Sequence, residues 1–153
     1  MNINSATLVY FSPTRTTKTI VENIAQGMQV NEVRQLDLTP PKTEAQSLEP
    51  VKDDLVIIGA PVYAGRIPVE AVQRLQSLKG DSRPTVIVVV YGNRAYEDAL
   101  LELQHLALEM SLLPIAGGAF IGEHSFSSVQ KPIAHERPDP EDLQKAQAFG
   151  QQV

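Results

Sequence analysis

Five hydroxyl side chains fall within eight residues in the stretch Ser12-Pro13-Thr14-Arg15-Thr16-Thr17-Lys18-Thr19. The stretch separates an apolar, β-rich run over residues 6–11 from a segment in which Thr17, Ile20, Val21, Ile24, Ala25 and Met28 recur at helical spacing. A loop in that position ends at a helix N-terminus, where unpaired amides and the positive end of the helix dipole suit a phosphate. Ser12, Thr14, Thr16 and Thr17 add short donors, and Arg15 and Lys18 carry positive charge. One hydroxyl is enough to cap a helix, so five point to anion binding.

Other chemistries lack the residues to carry them. There is no cysteine, which excludes disulfides, thiol nucleophiles, cysteinyl-phosphate chemistry, Cys-ligated zinc and an iron–sulfur cluster bound within this chain. Neither a Gly-x-Gly-x-x-Gly nor a Gly-x-x-x-x-Gly-Lys pattern occurs, so dinucleotide and P-loop readings have no support. Glu123, His124, His135 and Glu136 lack the close repeat of a metal site, and loop histidines are usually solvated; no metal is expected. His105 falls in a helical segment as a surface or boundary residue. Asp53-Asp54 precedes a strand instead of following the first one, so it is not the acidic pair of a receiver domain.

The charge balance narrows the partners. Thirteen basic and 18 acidic residues give a net charge of −5, and the excess lies wholly after residue 93, where four basic face nine acidic residues. Nucleic acid binding needs a basic surface and is not expected; a basic protein partner is compatible. The longest apolar run, residues 85–91, is far short of the ~20 residues of a membrane helix. The first ten residues have neither the basic start nor the apolar core of a signal peptide, so a cytoplasmic protein is expected.

The 153 residues fit one domain, 1–153, large enough for a full core. Strands are expected at residues 6–11, 32–38, 55–60, 85–90 and 112–121, the last softened by Gly117-Gly118. Between them, Val69, Val72, Leu75 and Leu78 predict a helix opened by Pro68 and closed by Gly80, and Ala99, Leu100, Leu103, Leu106, Ala107 and Met110 predict another. Residues 39–50 read as a surface connection with a brief helical turn. A last helix starts with Asp139 as N-cap and Pro140 in its first turn. Apolar strands alternating with helices require a parallel sheet covered on both sides. Such a doubly wound α/β sheet binds ligands beyond the carboxyl ends of its strands, where strand order reverses.

At those ends the chain resembles flavodoxins. Ser12-x-Thr14-x-x-Thr17 after a hydrophobic strand is similar to their FMN-phosphate loop, Ser/Thr-x-Thr-Gly-x-Thr, with Arg15 where that pattern has glycine. Residue 15 must therefore fit without positive φ or accept strain. The loop Gly59-Ala60-Pro61-Val62-Tyr63-Ala64-Gly65-Arg66-Ile67-Pro68 resembles the one that lays an aromatic ring against a flavin face. The resemblance gives that role to Tyr63, with Pro61, Val62 and Ala64 shaping the wall and Gly65 allowing close backbone approach. The loop Tyr91-Gly92-Asn93-Arg94-Ala95-Tyr96 resembles the one that meets the pyrimidine edge, with Gly92 and Asn93 as backbone donors and Tyr91 or Tyr96 as a second aromatic. Tyr96 is expected to begin a helix, and simple packing there is the alternative.

The resemblance covers essentially the whole chain and implies a flavodoxin-like fold with strand order 2-1-3-4-5. Gly122-Glu123-His124-Ser125-Phe126 followed by Arg137-Pro138-Asp139 looks like the closing part of flavodoxin domains fused ahead of a ferredoxin-type module with 4Fe–4S clusters. The segment 122–138, long for a connection, is expected beside the flavin. The implied function is FMN-based electron transfer with a ferredoxin-type iron–sulfur protein or fused module, with no side chain acting as acid, base or nucleophile. By that resemblance the chain corresponds to the flavodoxin part alone, either cut from a longer protein or a stand-alone relative. Two other readings stay open: an FMN-dependent NAD(P)H oxidoreductase, and a binding module that has lost its flavin.

Overall fold

Every residue of β1 (Ser5–Tyr10) and β3 (Asp54–Pro61), and all but the two end residues of β4 (Pro84–Tyr91), is buried. Strands buried on both faces need a helix layer on each side. The computed structural model describes residues 3–41, 48 and 54–153. In it these strands alternate with α1 (Thr16–Met28), β2 (Glu32–Asp37), α2 (Val69–Gln76), α3 (Ala99–Glu109), β5 (Leu113–Ile121) and α4 (Pro140–Gln152). The five strands form one sheet in the order β2-β1-β3-β4-β5, every neighbouring pair parallel. This is the expected doubly wound, flavodoxin-like α/β fold. Strand order reverses between β1 and β3, which opens the crevice beyond their carboxyl ends.

Alternation along the strands divides the core. Val56, Ile58, Ala60, Ile87 and Val89 meet Ala71 and Leu75 of α2 and Leu103 and Leu106 of α3. Leu55, Ile57, Val86, Val88 and Val90 meet Ile20, Val21 and Ile24 of α1 and Ala146 of α4. The helices α1 and α4 touch backbone to backbone: a Cβ at Gly27 would lie 2.0 Å from the Gln147 carbonyl oxygen. Asp139 caps α4 by accepting from the Asp142 amide at 3.0 Å, while the Asp142 carboxylate accepts from the Asp139 amide at 2.9 Å, a capping box with Pro140 in the first turn.

Several boundaries differ from the sequence reading. Pro68 is the N-cap of α2, not its first helical residue, so the buried stripe is Ala71, Leu75 and Leu78 while Val69 is 67% exposed. Gly80 does not close that helix. It seats against the α3–β5 corner, where a Cβ would lie 2.2 Å from Leu112. Helix α3 starts at Ala99, and Tyr96 lies in the preceding turn, its carbonyl accepting from the Ala99 amide at 2.9 Å. β5 is an edge strand, exposed and half-buried residues alternating over 113–118 before a half-buried end.

Asp54, the first residue of β3, is buried and accepts from Ser5 Oγ (2.7 Å), Thr7 Oγ1 (2.8 Å) and Arg83 Nη1 (2.8 Å). This ionic cluster ties β1, β3 and β4 together at the end of the sheet opposite the crevice. Asp53 and most of the expected connection 39–50 lie outside the described residues. Among the described residues no helix is long and apolar enough to cross a membrane.

Candidate functional site

The chain leaves β1 through a turn in which the Arg15 amide donates to the Ser12 carbonyl at 3.1 Å. Arg15, the N-cap of α1, takes the strained alternative: φ 68° and ψ −4° place it in the left-handed region, at a cost of roughly 1–2 kcal/mol for a non-glycine residue. The Lys18 amide donates to Ser12 Oγ at 3.0 Å and the Thr19 amide to the Arg15 carbonyl at 3.0 Å. The amides of Thr14, Thr16 and Thr17 have no protein acceptor among the described residues. The Thr14 and Thr16 hydroxyls lie 3.3 Å apart. Thr17 Oγ1 is fully buried and, alone among buried side-chain polar atoms of the described residues, has no partner. Lys18 turns away, its ammonium 3.8 Å from Glu22 and above the Tyr10 ring.

Beyond β3, residues 63–66 close a tight turn in which the Tyr63 and Arg66 amides donate to each other's carbonyls at 2.9 and 3.1 Å. Both central residues have positive φ, 50° at Ala64 and 76° at Gly65, the pattern of a type I′ turn. Gly65 is needed for that φ and for closeness to α3's approach, since a Cβ there would lie 2.4 Å from the Glu97 carboxylate. The turn is held to α3 by Arg66, bidentate to Glu102 at 2.8 and 3.1 Å, and by the Ile67 amide, which donates to Glu102 at 2.9 Å. The Arg66 hydrogen bond keeps the Glu102 carboxyl below the usual carboxylate range. The Tyr63 ring is 43% exposed, and its partial burial pushes its hydroxyl pKa up, with Glu70 adding to the rise.

Beyond β4, Asn93 and Glu97 also have positive φ, so each of the three loops holds a strained non-glycine residue. Such residues cluster where ligands are clamped. The Tyr91 and Tyr96 rings meet edge to face with centroids 5.2 Å apart. The segment after β5 folds on itself: the Glu123 amide donates to the Arg137 carbonyl (2.8 Å), the His124 amide to the Ile133 carbonyl (3.1 Å) and the Ile133 amide to Ser127 Oγ (3.1 Å). His135 Nδ1 lies 2.9 Å from Glu123 Oε1; that hydrogen bond raises the His135 pKa and lowers that of Glu123. Among the described residues no three His, Asp or Glu side chains are grouped to hold a metal ion.

The four loops enclose a cleft. Its larger chamber, about 710 Å³, is walled by Val62, Tyr63, Ala64 and Gly65 on one side, Gly92, Arg94, Ala95 and Glu97 on another, and His124, Ser125 and Phe126 on a third. A recess of about 40 Å³, lined by Thr14, Thr16, Pro61, Tyr91, Gly122 and Glu123, shares Val62, Tyr63, Gly92, His124 and Ser125 with the chamber. The recess at the first loop and the apolar chamber are therefore continuous. Of the residues expected at the site, Thr14, Thr16, Pro61, Val62, Tyr63, Ala64, Gly65, Tyr91 and Gly92 line it. Ser12 and Thr17 are buried behind the first loop, Arg15 and Asn93 are exposed, and Tyr96 packs on Tyr91; none of these five lines the cleft. His124, set aside in the sequence as a solvated loop residue, is part of the wall. Its signals were the length of segment 122–138 and the resemblance carried by Gly122-Glu123-His124-Ser125-Phe126.

No protein-family model and no curated protein matches the sequence. Solved structures do resemble it. Flavodoxin 2 from Bacillus cereus aligns with a TM-score of 0.66 at 15% identity, over 95% of this chain and 94% of that one. A flavodoxin from the domain Archaea aligns with a TM-score of 0.58 at 16% identity, over 97% and 95%. The rubredoxin oxygen:oxidoreductase of Desulfovibrio gigas aligns at 0.63 and 14%, over 97% of this chain but 34% of that one. At these identities the likeness establishes a flavodoxin-like fold.

Proposed function

We propose that the chain binds FMN in this cleft and serves as an electron-transfer domain. The observation that carries the reading is the buried, unpartnered Thr17 hydroxyl behind a loop whose three amides have no protein acceptors, a donor that the loop uncovers when it closes on the phosphate. A polar group buried without a partner costs about 1–3 kcal/mol, which a bound acceptor recovers. The donor set is neutral and entirely N–H and O–H, and it stands at a helix N-terminus. A phosphate monoester fits that chemistry.

The adjoining chamber fits a flat, largely apolar ring system with polar edges. Tyr63 is the aromatic available to one face of the ring, Val62 and Ala64 complete that wall, and Gly92 lines the opposite side. When bound, FMN supplies the one- and two-electron chemistry; the protein holds it, limits water and sets the relative stability of its oxidation states. No side chain has to act as nucleophile.

The electron partner in this reading is a ferredoxin-type iron–sulfur protein or a fused module of that kind. The acidic surplus after residue 93 orients a partner through a basic patch, an attraction that weakens as salt rises. Two measurements test the proposal. Titration of the protein with FMN and with riboflavin should show FMN bound at least about a hundredfold more tightly, from two or three charge-assisted hydrogen bonds of ~1.5–3 kcal/mol. Equal affinities remove the phosphate loop. Stopped-flow reduction by reduced ferredoxin should then be fast at low salt and slow at high salt. Reduction by NADH alone, with none by ferredoxin, replaces this reading with a nicotinamide-dependent reductase.

A further inference from the structure

We propose that His124 is the hydrogen-bond donor that stabilises the reduced flavin ring, an inference resting on the FMN reading above. Three contacts hold this residue. Its amide donates to the Ile133 carbonyl at 3.1 Å, its carbonyl accepts from the Ser127 amide at 2.8 Å, and its ring Nδ1 accepts from the Phe126 amide at 3.0 Å. An amide can only donate, so Nδ1 is unprotonated and the neutral ring carries its proton on Nε2. The second nitrogen is thus a donor, and among the described residues it has no protein acceptor.

Its position is as constrained as its tautomer. His124 lines both the recess and the large chamber. The ring edge next to Nε2 lies against Gly92: a Cβ at residue 92 would fall 2.3 Å from His124 Cδ2. Any other residue at 92 would displace the imidazole, so glycine there serves this seating. Reduction adds electron density to the flavin ring, and a fixed donor in an apolar cavity stabilises that charge more than the neutral oxidised form. His124 therefore binds the reduced cofactor preferentially, which raises its potential.

Two substitutions separate this role from a structural one. His124→Asn keeps an acceptor near Nδ1 for the Phe126 amide and removes the Nε2 donor. His124→Gln keeps a donor near Nε2 and removes the acceptor. The readouts are the FMN dissociation constant by fluorescence quenching and the midpoint potential by dye-equilibrated reduction at fixed pH. Loss of the donor should weaken reduced FMN relative to oxidised FMN by about tenfold or more, a fall of about 30 mV per tenfold for a two-electron couple. His124→Gln should stay near wild type. An unchanged potential in His124→Asn, or a fall in His124→Gln instead, overturns the inference while leaving FMN binding intact. A wild-type protein that does not bind FMN overturns both this inference and the reading it rests on.

Discussion

Replacing Thr17 by valine changes one atom and should move two observables in opposite directions. The side chain is buried, its methyl packs toward Gly59, and its hydroxyl has no partner among the described residues. Thr17→Val keeps the shape and removes the orphan. In the absence of FMN, relief of an unpaired buried hydroxyl is worth about 1 kcal/mol at the low end, a rise in melting temperature of roughly 2–4 °C for a chain this size. With FMN, the same change removes a charge-assisted hydrogen bond of about 1.5–3 kcal/mol, weakening binding on the order of ten- to a hundredfold. Riboflavin, which has no phosphate, should bind both proteins alike. Thermal melts with and without FMN and parallel fluorescence titrations measure all of this. A lower melting temperature without FMN, or equal losses for FMN and riboflavin, would refute the argument that this hydroxyl waits for a phosphate.

Other perturbations follow from the same geometry. Tyr63→Ala should raise the potential of the second electron, because an electron-rich ring disfavours an anionic reduced flavin, and should cost only about tenfold in FMN affinity, from ~0.5–1.5 kcal/mol of stacking; an unchanged potential in a reductive titration removes Tyr63 from the flavin face. Asp54→Asn removes the carboxylate that accepts from Ser5, Thr7 and Arg83 in a buried cluster, so urea unfolding should show a loss of about 1.5–3 kcal/mol; a variant as stable as wild type would contradict the ionic role of this cluster. The Glu123–His135 tether depends on pH in a defined window. The His135 pKa is raised from 6.5, so its contribution is full below that value and is lost as pH rises through the folded-state pKa. The Glu123 pKa is lowered from 4.5, so its contribution is present above that value and is lost as pH falls through its folded-state pKa. Amide protection at Glu136, whose N–H donates to Glu123, should therefore be greatest between about pH 4.5 and 6.5 and decline as pH rises through the raised His135 pKa. His135→Gln should flatten that profile in hydrogen exchange; a profile unaffected by the substitution would show that the pair does not hold the loop.

Much of this architecture is written in short stretches of chain. Residues 55–60 and 85–90 are apolar without interruption because both faces of β3 and β4 are covered, and helices with one apolar stripe between them leave a parallel sheet as the arrangement that buries everything. Once that order is known, the residues after β1, β3 and β4 must sit at one end of the sheet. Thr14, Tyr63 and Gly92 were legible for that reason: each lies within a few residues of a strand end. The cap of α4 was legible too, since Asp139, Pro140 and Asp142 act on one another locally.

What escaped the sequence depends on residues far apart in it. Gly92 carries no local sign that it makes room for His124, 32 positions later. Asp54 looks like half of an acidic pair until Arg83, Ser5 and Thr7 are brought around it. Arg15 had two possible backbone states, and the turn from β1 into α1 takes the left-handed one. Val69 fits an apolar stripe at intervals of three, yet the sheet sets which arc of α2 is covered, and Val69 lies outside it. Local periodicity reports which faces are buried; only packing of the layers decides which distant side chains meet, because no short-range preference encodes a contact between loops that the sheet alone brings together.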